Sequence, residues 1–262
     1  MRIATWNVNS LKARLPRVEE WISYAQPDVL CMQETKLADD AFPVMPFSAL
    51  GYEVAFHGEG RWNGVAIASR VGLDEVRSGF APLPPDERGE ARLIAARCGG
   101  TLVASVYVPN GREVGSEHFG YKLDWLARTR QWLAAHAAPT DPVVVCGDFN
   151  IAPTDRDVWD ARALAGATHV TPEERSALAE LEAWGLVDAF RLVYPDTDRL
   201  FTWWDYRAGS FHKGHGMRID LLLASKPLAA RVVFALVDRN ARKGPQPSDH
   251  APVFIDVAPE GA

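Results

Sequence analysis

The sequence has few of the features that mark membrane, secreted or zinc-binding proteins. No stretch approaches the roughly 20 apolar residues that a transmembrane helix needs, and the N-terminus lacks the charged and apolar regions of a signal peptide. The three cysteines have no zinc-site spacing, and Cys31 and Cys146 lie in apolar runs typical of buried reduced thiols. We therefore predict a cytoplasmic protein without a membrane partner.

Composition gives no sign of a division into several domains. The 262 residues are 47% hydrophobic and 24% charged, as expected of a globular protein with a sizeable core. There is no low-complexity tract, and the loop marked by Pro82, Pro84 and Pro85 is short. We expect residues 1–262 to form one domain.

The net charge of −6 argues at first against a polyanionic partner, because nucleic-acid binding depends on basic side chains that neutralise phosphates. Residues 201–250, however, carry eight basic and four acidic side chains, a local charge of +4, which leaves −10 for the rest. This asymmetry is compatible with a polyanion-binding face, although a solvated basic surface would look the same.

Strand and helix patterns mix along the whole chain. Apolar segments rich in Val and Ile predict ten strands: Ile3–Val8, Asp28–Gln33, Tyr52–His57, Gly64–Ser69, Leu93–Arg97, Leu102–Val108, Val143–Gly147, Arg218–Ala224, Arg231–Val237 and Val253–Val257. Helical periodicity is clearest around Leu15–Ala25 and Trp125–Leu133. A third helix should begin at Thr171, with Glu174 closing a capping box, and end at Gly185. About four helices packed outside sheets indicate an α/β or α+β sandwich.

Polar side chains lie at or just beyond the ends of three of the predicted strands. They are Asn7, Glu34, and the pair Asp148 and Asn150, which come directly after an apolar run and Gly147. Alternation along a strand would bring Asp148 and Asn150 to one side, where a carboxylate and an amide can hold a water and a phosphate oxygen. The alternative is that this Gly-Asp-x-Asn sequence is only a turn.

A histidine and several carboxylates could complete such a site. His250 follows Asp249 and can take part in proton transfer if another carboxylate orients its ring. Asp220, in an otherwise apolar strand, is the candidate partner because a buried carboxylate needs one. Mg²⁺ needs only one or two protein carboxylates, so Glu34, helped by Asn7 and Asp249, would suffice. As alternatives, His250 could be an ordinary loop residue and Glu34 a surface residue.

Seven motifs in order resemble the exonuclease III family and extend from residue 6 to residue 252. They are Trp6-Asn7-Val8-Asn9, Gln33-Glu34-Thr35-Lys36, Tyr107-x-Pro109-Asn110-Gly111, Gly147-Asp148-Phe149-Asn150-x-x-Pro153-Thr154-Asp155, Trp184-Gly185-Leu186-Val187-Asp188, Arg218-Ile219-Asp220-Leu221-Leu222-Leu223-Ala224-Ser225 and Pro247-Ser248-Asp249-His250-Ala251-Pro252. The resemblance implies the endonuclease/exonuclease/phosphatase fold, a four-layer sandwich of two packed mixed β-sheets flanked by helices.

The resemblance also implies a metal-dependent DNA repair nuclease. Glu34 would be the principal Mg²⁺ ligand, with Mn²⁺ as an alternative ion and with Asn7 and Asp249 nearby. Asp148 would align or deprotonate the attacking water. The remaining implied site residues would bind the scissile phosphate, orient the histidine or assist the leaving group: Asn150, His250, Asp220 and Tyr107.

The expected substrate is double-stranded DNA, either abasic or damaged at a 3′ end, bound by a monomer. The aromatic segment Phe201–Arg207 resembles the one that enters the duplex in this family, and we expect one of Trp203 and Trp204 to be buried and the other exposed. Further DNA contacts are predicted for Lys122, Arg218, Lys213, Arg92 and Asn110. Asn110 stands where some relatives carry glutamine, so its amide reaches one methylene less far.

Two other functions share parts of this pattern. Phosphatases of inositol lipids and sphingomyelin phosphodiesterases have a similar core, but no apolar loop or anchor for a membrane is evident. A non-catalytic DNA-binding module would lack at least one core group, whereas all are present. The balance among abasic-site incision, 3′–5′ exonuclease, 3′-phosphatase and RNase H activity depends on loop shape, which the motifs do not specify.

Overall fold

The computed structural model describes residues 1–80 and 89–261, so the predicted loop at Pro82, Pro84 and Pro85 lies outside the described residues. In the described part of the chain, no helix has both the length and the apolar character needed to cross a bilayer. All three cysteines are free and buried, which confirms the prediction made for Cys31 and Cys146.

Two six-stranded sheets form the centre of the fold. Their strands are β1 (Arg2–Asn7), β2 (Val29–Gln33), β3 (Glu53–His57), β4 (Val65–Ser69), β5 (Asp74–Ser78), β6 (Leu93–Cys98), β7 (Thr101–Tyr107), β8 (Val143–Asp148), β9 (Leu186–Asp188), β10 (Asp220–Ser225), β11 (Val232–Val237) and β12 (Val253–Val257). The orders are β11-β12-β1-β2-β4-β3 and β5-β6-β7-β8-β10-β9. Both sheets are mixed, because β1 and β2 are parallel, as are β7 and β8, and the other pairs are antiparallel.

Four helices, α1 to α4, cover the outer faces of the two sheets. The helices of the described residues are α1 (Leu11–Ala25), α2 (Val44–Ala49), α3 (Glu117–His136), α4 (Pro172–Trp184), α5 (Ala189–Val193), α6 (Ser210–Lys213) and α7 (Lys226–Ala229). α1 and α2 pack on the first sheet and α3 and α4 on the second, while a third apolar cluster lies between the sheets. This is the predicted four-layer sandwich, and the central strands β1, β2, β7 and β8 alternate their apolar side chains between two buried faces.

The ten predicted strands are confirmed, with ends that differ by at most two residues. Two strands were not predicted. β5 is polar and largely exposed at a sheet edge, and β9 has only three residues, so neither produces a clear apolar alternation. The capping box of α4 is confirmed, since Thr171 and Glu174 each accept a hydrogen bond from the backbone N–H of the other. The four helices of six residues or fewer were too short for a periodic signal.

Candidate active site

Four strands of the two sheets end at the same side of the molecule. Asn7 closes β1 and Glu34 follows β2, while Tyr107 and Asp148 lie in register at the ends of β7 and β8. A direct hydrogen bond between Asn7 and Asp148 joins the two sheets there. Parallel pairing therefore brings four predicted site residues to one edge, where strands hold their side chains rigidly.

Antiparallel strands bring two more residues to the same edge. Asp220 begins β10 directly opposite Asp148. His250 lies just before β12, which pairs with β1, and its backbone carbonyl accepts a hydrogen bond from the Trp6 indole at 3.1 Å. Residues more than 200 positions apart in sequence thus meet through sheet pairing.

Unusual backbone conformations turn two of these side chains into the site. Glu34 and Asn150 have φ values of 52° and 51°, in the left-handed region that costs energy for residues other than glycine and is common at functional sites. Asn150 reaches the site through this turn rather than through the strand alternation predicted from the sequence, because β8 ends at Asp148. Gly147 has a φ of 150°, and a Cβ there would lie 1.9 Å from the Val106 carbonyl oxygen.

The side chain of Asn7 holds two carboxylates together. Its Nδ2 donates to Glu34 Oε1 at 2.8 Å and to Asp148 Oδ2 at 2.9 Å, and its Oδ1 accepts from the backbone N–H of Asn9 at 3.0 Å. Asn7 is fully buried, so these bonds are shielded from water and fix the separation of the two carboxylates.

A second chain of hydrogen bonds extends along the other side of Glu34. Lys36 Nζ lies 2.9 Å from Glu34 Oε2 and donates to Asn9 Oδ1 at 2.6 Å. Asn9 in turn donates to Asp249 Oδ1 at 2.9 Å, and the Trp203 indole donates to Asp249 Oδ2 at 3.0 Å. Sequence reasoning assigned no role to Lys36 or Asn9, although both belong to the motifs that carry the resemblance.

The imidazole of His250 lies between two carboxylates. Its Nδ1 is 2.8 Å from Asp220 Oδ2, and its Nε2 is 3.8 Å from Asp148 Oδ2. Burial alone would lower the pKa of His250, but the charges of Asp220 and Asp148 outweigh it and raise that pKa to about 10. Burial raises the pKa of Asp148 to about 7. At neutral pH His250 is therefore a cation and Asp148 is close to its titration point.

Tyr107 lines the same pocket beside the acidic groups. Burial, and then the charges of Glu34 and Asp148, raise the pKa of Tyr107 well above its ordinary value, so its phenol keeps its proton and can donate a hydrogen bond. The Arg92 guanidinium lies over the Tyr107 ring, 4.7 Å from its centroid, and its Nε pairs with Glu90.

Two amides form the wall next to Asp148. Asn110 donates to Asn150 Oδ1 at 3.2 Å, and Asn150 Nδ2 donates to the Val108 carbonyl at 3.0 Å. The backbone N–H of Asn150 donates to Asp148 Oδ1 at 2.9 Å. The loops after β7 and β8 are thereby fastened to each other at the pocket.

The carboxylates at this edge suit a divalent cation. Glu34, Asp148 and His250 each place one potential ligand atom within 4.8 Å of the others. His250 as a cation has no free lone pair for a metal ion, whereas carboxylate oxygens are preferred by hard cations. The Lys36 ammonium at Glu34 indicates that positive charge is already favoured there. The donor set therefore fits a metal held chiefly by Glu34.

These residues surround a cavity of about 190 Å³. One wall is apolar and consists of Trp203, Met217 and Ile219, and His169 borders the cavity near Asn150. The ring Nδ1 of His169 hydrogen-bonds the Asn150 carbonyl. None of Met217, Ile219 and His169 was predicted as a site residue, because an apolar wall and a loop histidine have no distinctive sequence pattern.

Two of the predicted DNA contacts, Lys122 and Arg218, are wrong because their side chains are buried. Lys122 is fully buried and pairs with a glutamate of α4. Arg218 is 1% exposed and pairs with Asp157 and Asp188. Trp204 is fully buried, as expected for one of the two adjacent tryptophans. None of the three can reach a phosphate or a base without unfolding its surroundings.

The other predicted DNA contacts lie at or near the surface. Lys213 and Asn110 are exposed, and Trp203 is half-buried at the cavity. Arg92 pairs with Glu90 and is mostly covered. DNA contact by Arg92, Lys213, Asn110 and Trp203 stays a prediction. An unpredicted candidate is Trp62, 62% exposed on the loop whose backbone bonds to residues 35 and 36 beside Glu34.

The chain is similar to several proteins that act on nucleic acids. Residues 4–250 match the Endonuclease/Exonuclease/phosphatase family. Exodeoxyribonuclease III of Haemophilus influenzae is 34% identical, over 98% of this chain and 99% of that protein. An AP endonuclease from Archaeoglobus fulgidus and a 3′ phosphatase from Neisseria bound to a product DNA hairpin both superpose with TM-scores of 0.93, at 39% and 37% identity, over 98% of this chain and 99% of theirs.

Proposed function

The chain belongs to the Endonuclease/Exonuclease/phosphatase family, and on that premise we propose that it is a metal-dependent DNA repair nuclease of the exonuclease III kind. It would hydrolyse phosphodiesters of double-stranded DNA at a 3′ end, at an abasic site, or at both. The observation that carries the proposal is the convergence of Glu34, Asp148 and His250 within 4.8 Å at one edge of the two sheets.

The metal would be Mg²⁺, held chiefly by Glu34. Asp249 is a second carboxylate nearby, and hydrogen bonds through Asn9 and Lys36 link it to Glu34. Asn7 fixes the position of the Glu34 carboxylate. Mg²⁺ is usually bound by one or two carboxylates together with substrate phosphate oxygens, which matches this sparse donor set. When bound, the ion polarises the phosphoryl group and neutralises charge on the leaving 3′ oxygen.

The protein groups would position water and stabilise charge. Asp148, with a pKa of about 7, is suited to accept a proton from the attacking water near neutral pH. His250 is held as a cation by Asp220 and would donate from Nε2 to a phosphate oxygen, beside the amide of Asn150. The protonated Tyr107 would assist the leaving oxygen. Charge that develops on the phosphate would thus meet donors already in place.

DNA is favoured over a lipid or inositol phosphate by the relatives and by the surface. The relatives described above are named as nucleases or, in one structure, are bound to a DNA hairpin. The local charge of +4 over residues 201–250 and the exposed Trp62 and Lys213 suit a polyanion with bases that can stack. Recognition would depend on backbone and shape rather than on base sequence.

The cavity of about 190 Å³ supports a second activity on the same site. The groups that line it, among them His250 and Asn150, can donate to a terminal phosphate as well as to a phosphodiester, and the Neisseria relative is named a 3′ phosphatase. We therefore propose removal of 3′-phosphates as an accompanying activity. We also keep the predictions of a single domain, a monomer and a cytoplasmic location.

Purified protein would be assayed on four labelled duplexes: intact, abasic, 3′-phosphate and RNA–DNA hybrid, each with Mg²⁺ and with EDTA. We expect cleavage of at least one DNA duplex that stops with EDTA and is absent from Asp148→Asn, which excludes a contaminating nuclease. Hydrolysis of a phosphoinositide without cleavage of any duplex would contradict the proposal.

A further inference from the structure

A lysine and a glutamate without solvent exposure lie behind the pocket wall. Lys122 is on α3 and Glu174 is in the first turn of α4, and their side chains form an ion pair in which both are fully buried. Burying two charges is costly unless further hydrogen bonds satisfy them. The partners of this pair therefore indicate what it holds in place.

The lysine ammonium reaches two loops of the active site. Lys122 Nζ donates to the backbone carbonyl of Asn150 at 2.7 Å and lies 3.3 Å from that of Asn110. Both residues line the cavity, and Asn150 has the left-handed backbone described above. A strained backbone conformation persists only where surrounding contacts stabilise it. The hydrogen bond from the Lys122 ammonium to the Asn150 carbonyl is such a contact.

The glutamate carboxylate fastens the neighbouring segment. Glu174 Oε1 accepts from Thr168 Oγ1 at 3.0 Å and from the His169 backbone N–H at 2.9 Å. Its Oε2 accepts from the hydroxyl and the backbone N–H of Thr171 at 2.8 and 3.1 Å. His169 also contacts the Asn150 carbonyl. The ion pair thus joins α3, α4 and the loop of residues 168–171 to the back of Asn150.

We propose that Lys122 and Glu174 are positioning residues that set the place of Asn150 and Asn110 at the scissile phosphate. This inference rests on the proposed nuclease function. Neither side chain touches substrate, because both are enclosed by protein. The Lys122 ammonium acts through the Asn150 carbonyl, and the Glu174 carboxylate acts through Lys122 and His169. The glutamate also caps α4, so the start of that helix is coupled to the pocket wall.

The test replaces both charges with neutral groups of similar shape, Lys122→Met/Glu174→Gln. A single replacement would leave one buried charge without its partner and is expected to unfold the protein. The matched control is Arg191→Met, because Arg191 also pairs with a buried carboxylate, Asp157, which keeps Arg218 as a partner. The hydrogen bonds of Arg191 go to Asp157 and to residues 188, 194 and 197, none of which lines the cavity. Both variants are expected to lose stability in urea unfolding.

For the double variant we expect kcat on the best duplex to fall by about 100-fold, the size of loss that a small misplacement can cause. The Kd for Mg²⁺ should change by less than about twofold, because Glu34 is untouched. The KM for DNA should change far less than kcat, because the candidate DNA contacts Trp62, Trp203 and Lys213 are untouched. In Arg191→Met, kcat should stay within about twofold of wild type. An unchanged kcat in the double variant, or an equal loss in both variants, would overturn the inference.

A crystal structure of the double variant gives a readout that does not depend on activity. We expect the backbone of Asn150 to leave its left-handed conformation, or the backbone N–H of Asn150 to move away from Asp148 Oδ1. If the wild-type protein cleaves none of the duplexes, the nuclease proposal fails, and the crystal structure still decides the positioning role. An Asn150 loop in the wild-type place would refute it.

Discussion

Replacing Asp220 with asparagine removes the charge that most strongly holds His250 protonated. Asp220 Oδ2 lies 2.8 Å from His250 Nδ1, whereas the nearer oxygen of Asp148 is 3.8 Å from Nε2. Asp220→Asn keeps the size of the side chain and an oxygen that can accept from Nδ1. The change therefore tests charge more than shape.

The size of the effect follows from the pKa of His250. A rise from 6.5 to about 10 corresponds to on the order of 5 kcal/mol of preference for the cation in the folded protein, at about 1.4 kcal/mol per pKa unit. One carboxylate at this distance contributes about one to three pKa units. In Asp220→Asn we expect the His250 pKa to fall to between about 7 and 9, since burial then opposes the cation with only Asp148 to favour it.

The direction of the stability effect is also defined. A folded-state pKa above the unfolded value stabilises the protein fully below pH 6.5, and this contribution is lost as pH rises through about 10. In Asp220→Asn the loss should begin at the same pH, because the unfolded-state pKa is unchanged, but the contribution should be smaller and its loss complete between about pH 7 and pH 9. Urea unfolding between pH 6 and pH 10 would measure it, with Asp256→Asn, a remote carboxylate paired with Arg2, as control.

The measurement is an NMR titration of the His250 ring in EDTA, followed by pH–rate profiles with Mg²⁺. The titration reports the metal-free site directly. Activity that needs the cation should decline at lower pH in the variant than in the wild-type protein. A His250 pKa near 10 in Asp220→Asn, or near 6.5 in the wild type, would refute the proposed electrostatics of the site.

Three other substitutions test separate parts of the site. Glu34→Ala should weaken Mg²⁺ binding by at least about tenfold; calorimetry would detect this, and an unchanged metal titration would remove Glu34 from its role. Asp148→Asn should lower kcat by about 10²- to 10⁴-fold while DNA binding, followed by fluorescence anisotropy, is retained; wild-type turnover would exclude Asp148 as the base. Gly147→Ala should destabilise the protein by about 3 kcal/mol or more, since the new Cβ would lie 1.9 Å from the Val106 carbonyl oxygen. Gly51→Ala, at a φ of 83° with open space around it, is the control that reports backbone strain alone, and equal urea midpoints for the two variants would contradict the steric account.

Local patterns predicted the secondary structure well because the information is contained in adjacent residues. The apolar runs around β1, β2, β7 and β8 and the capping box of α4 depend on side chains within one element. Strand β5 was not predicted because such local information is missing there. Asp74–Ser78 is polar, and only its pairing with β6 makes it a strand.

Charged and aromatic residues show where sequence reasoning was insufficient. Lys122, Arg218 and Trp204 resemble DNA contacts by residue type, yet all three are buried. A lysine is expected at the surface unless a partner compensates its burial, and the partner of Lys122 is Glu174, 52 residues away. Only the packing of α3 against α4 brings the two together.

The chemical groups of the site, and the strand ends that carry them, can be inferred from local sequence, because apolar runs and the turns that stop them define strand ends. Which of those groups meet depends on contacts between segments that are distant in sequence. Asn7, Asp148 and His250 are brought together by pairing between distant strands, and burial in that shared space raises the pKa of Asp148.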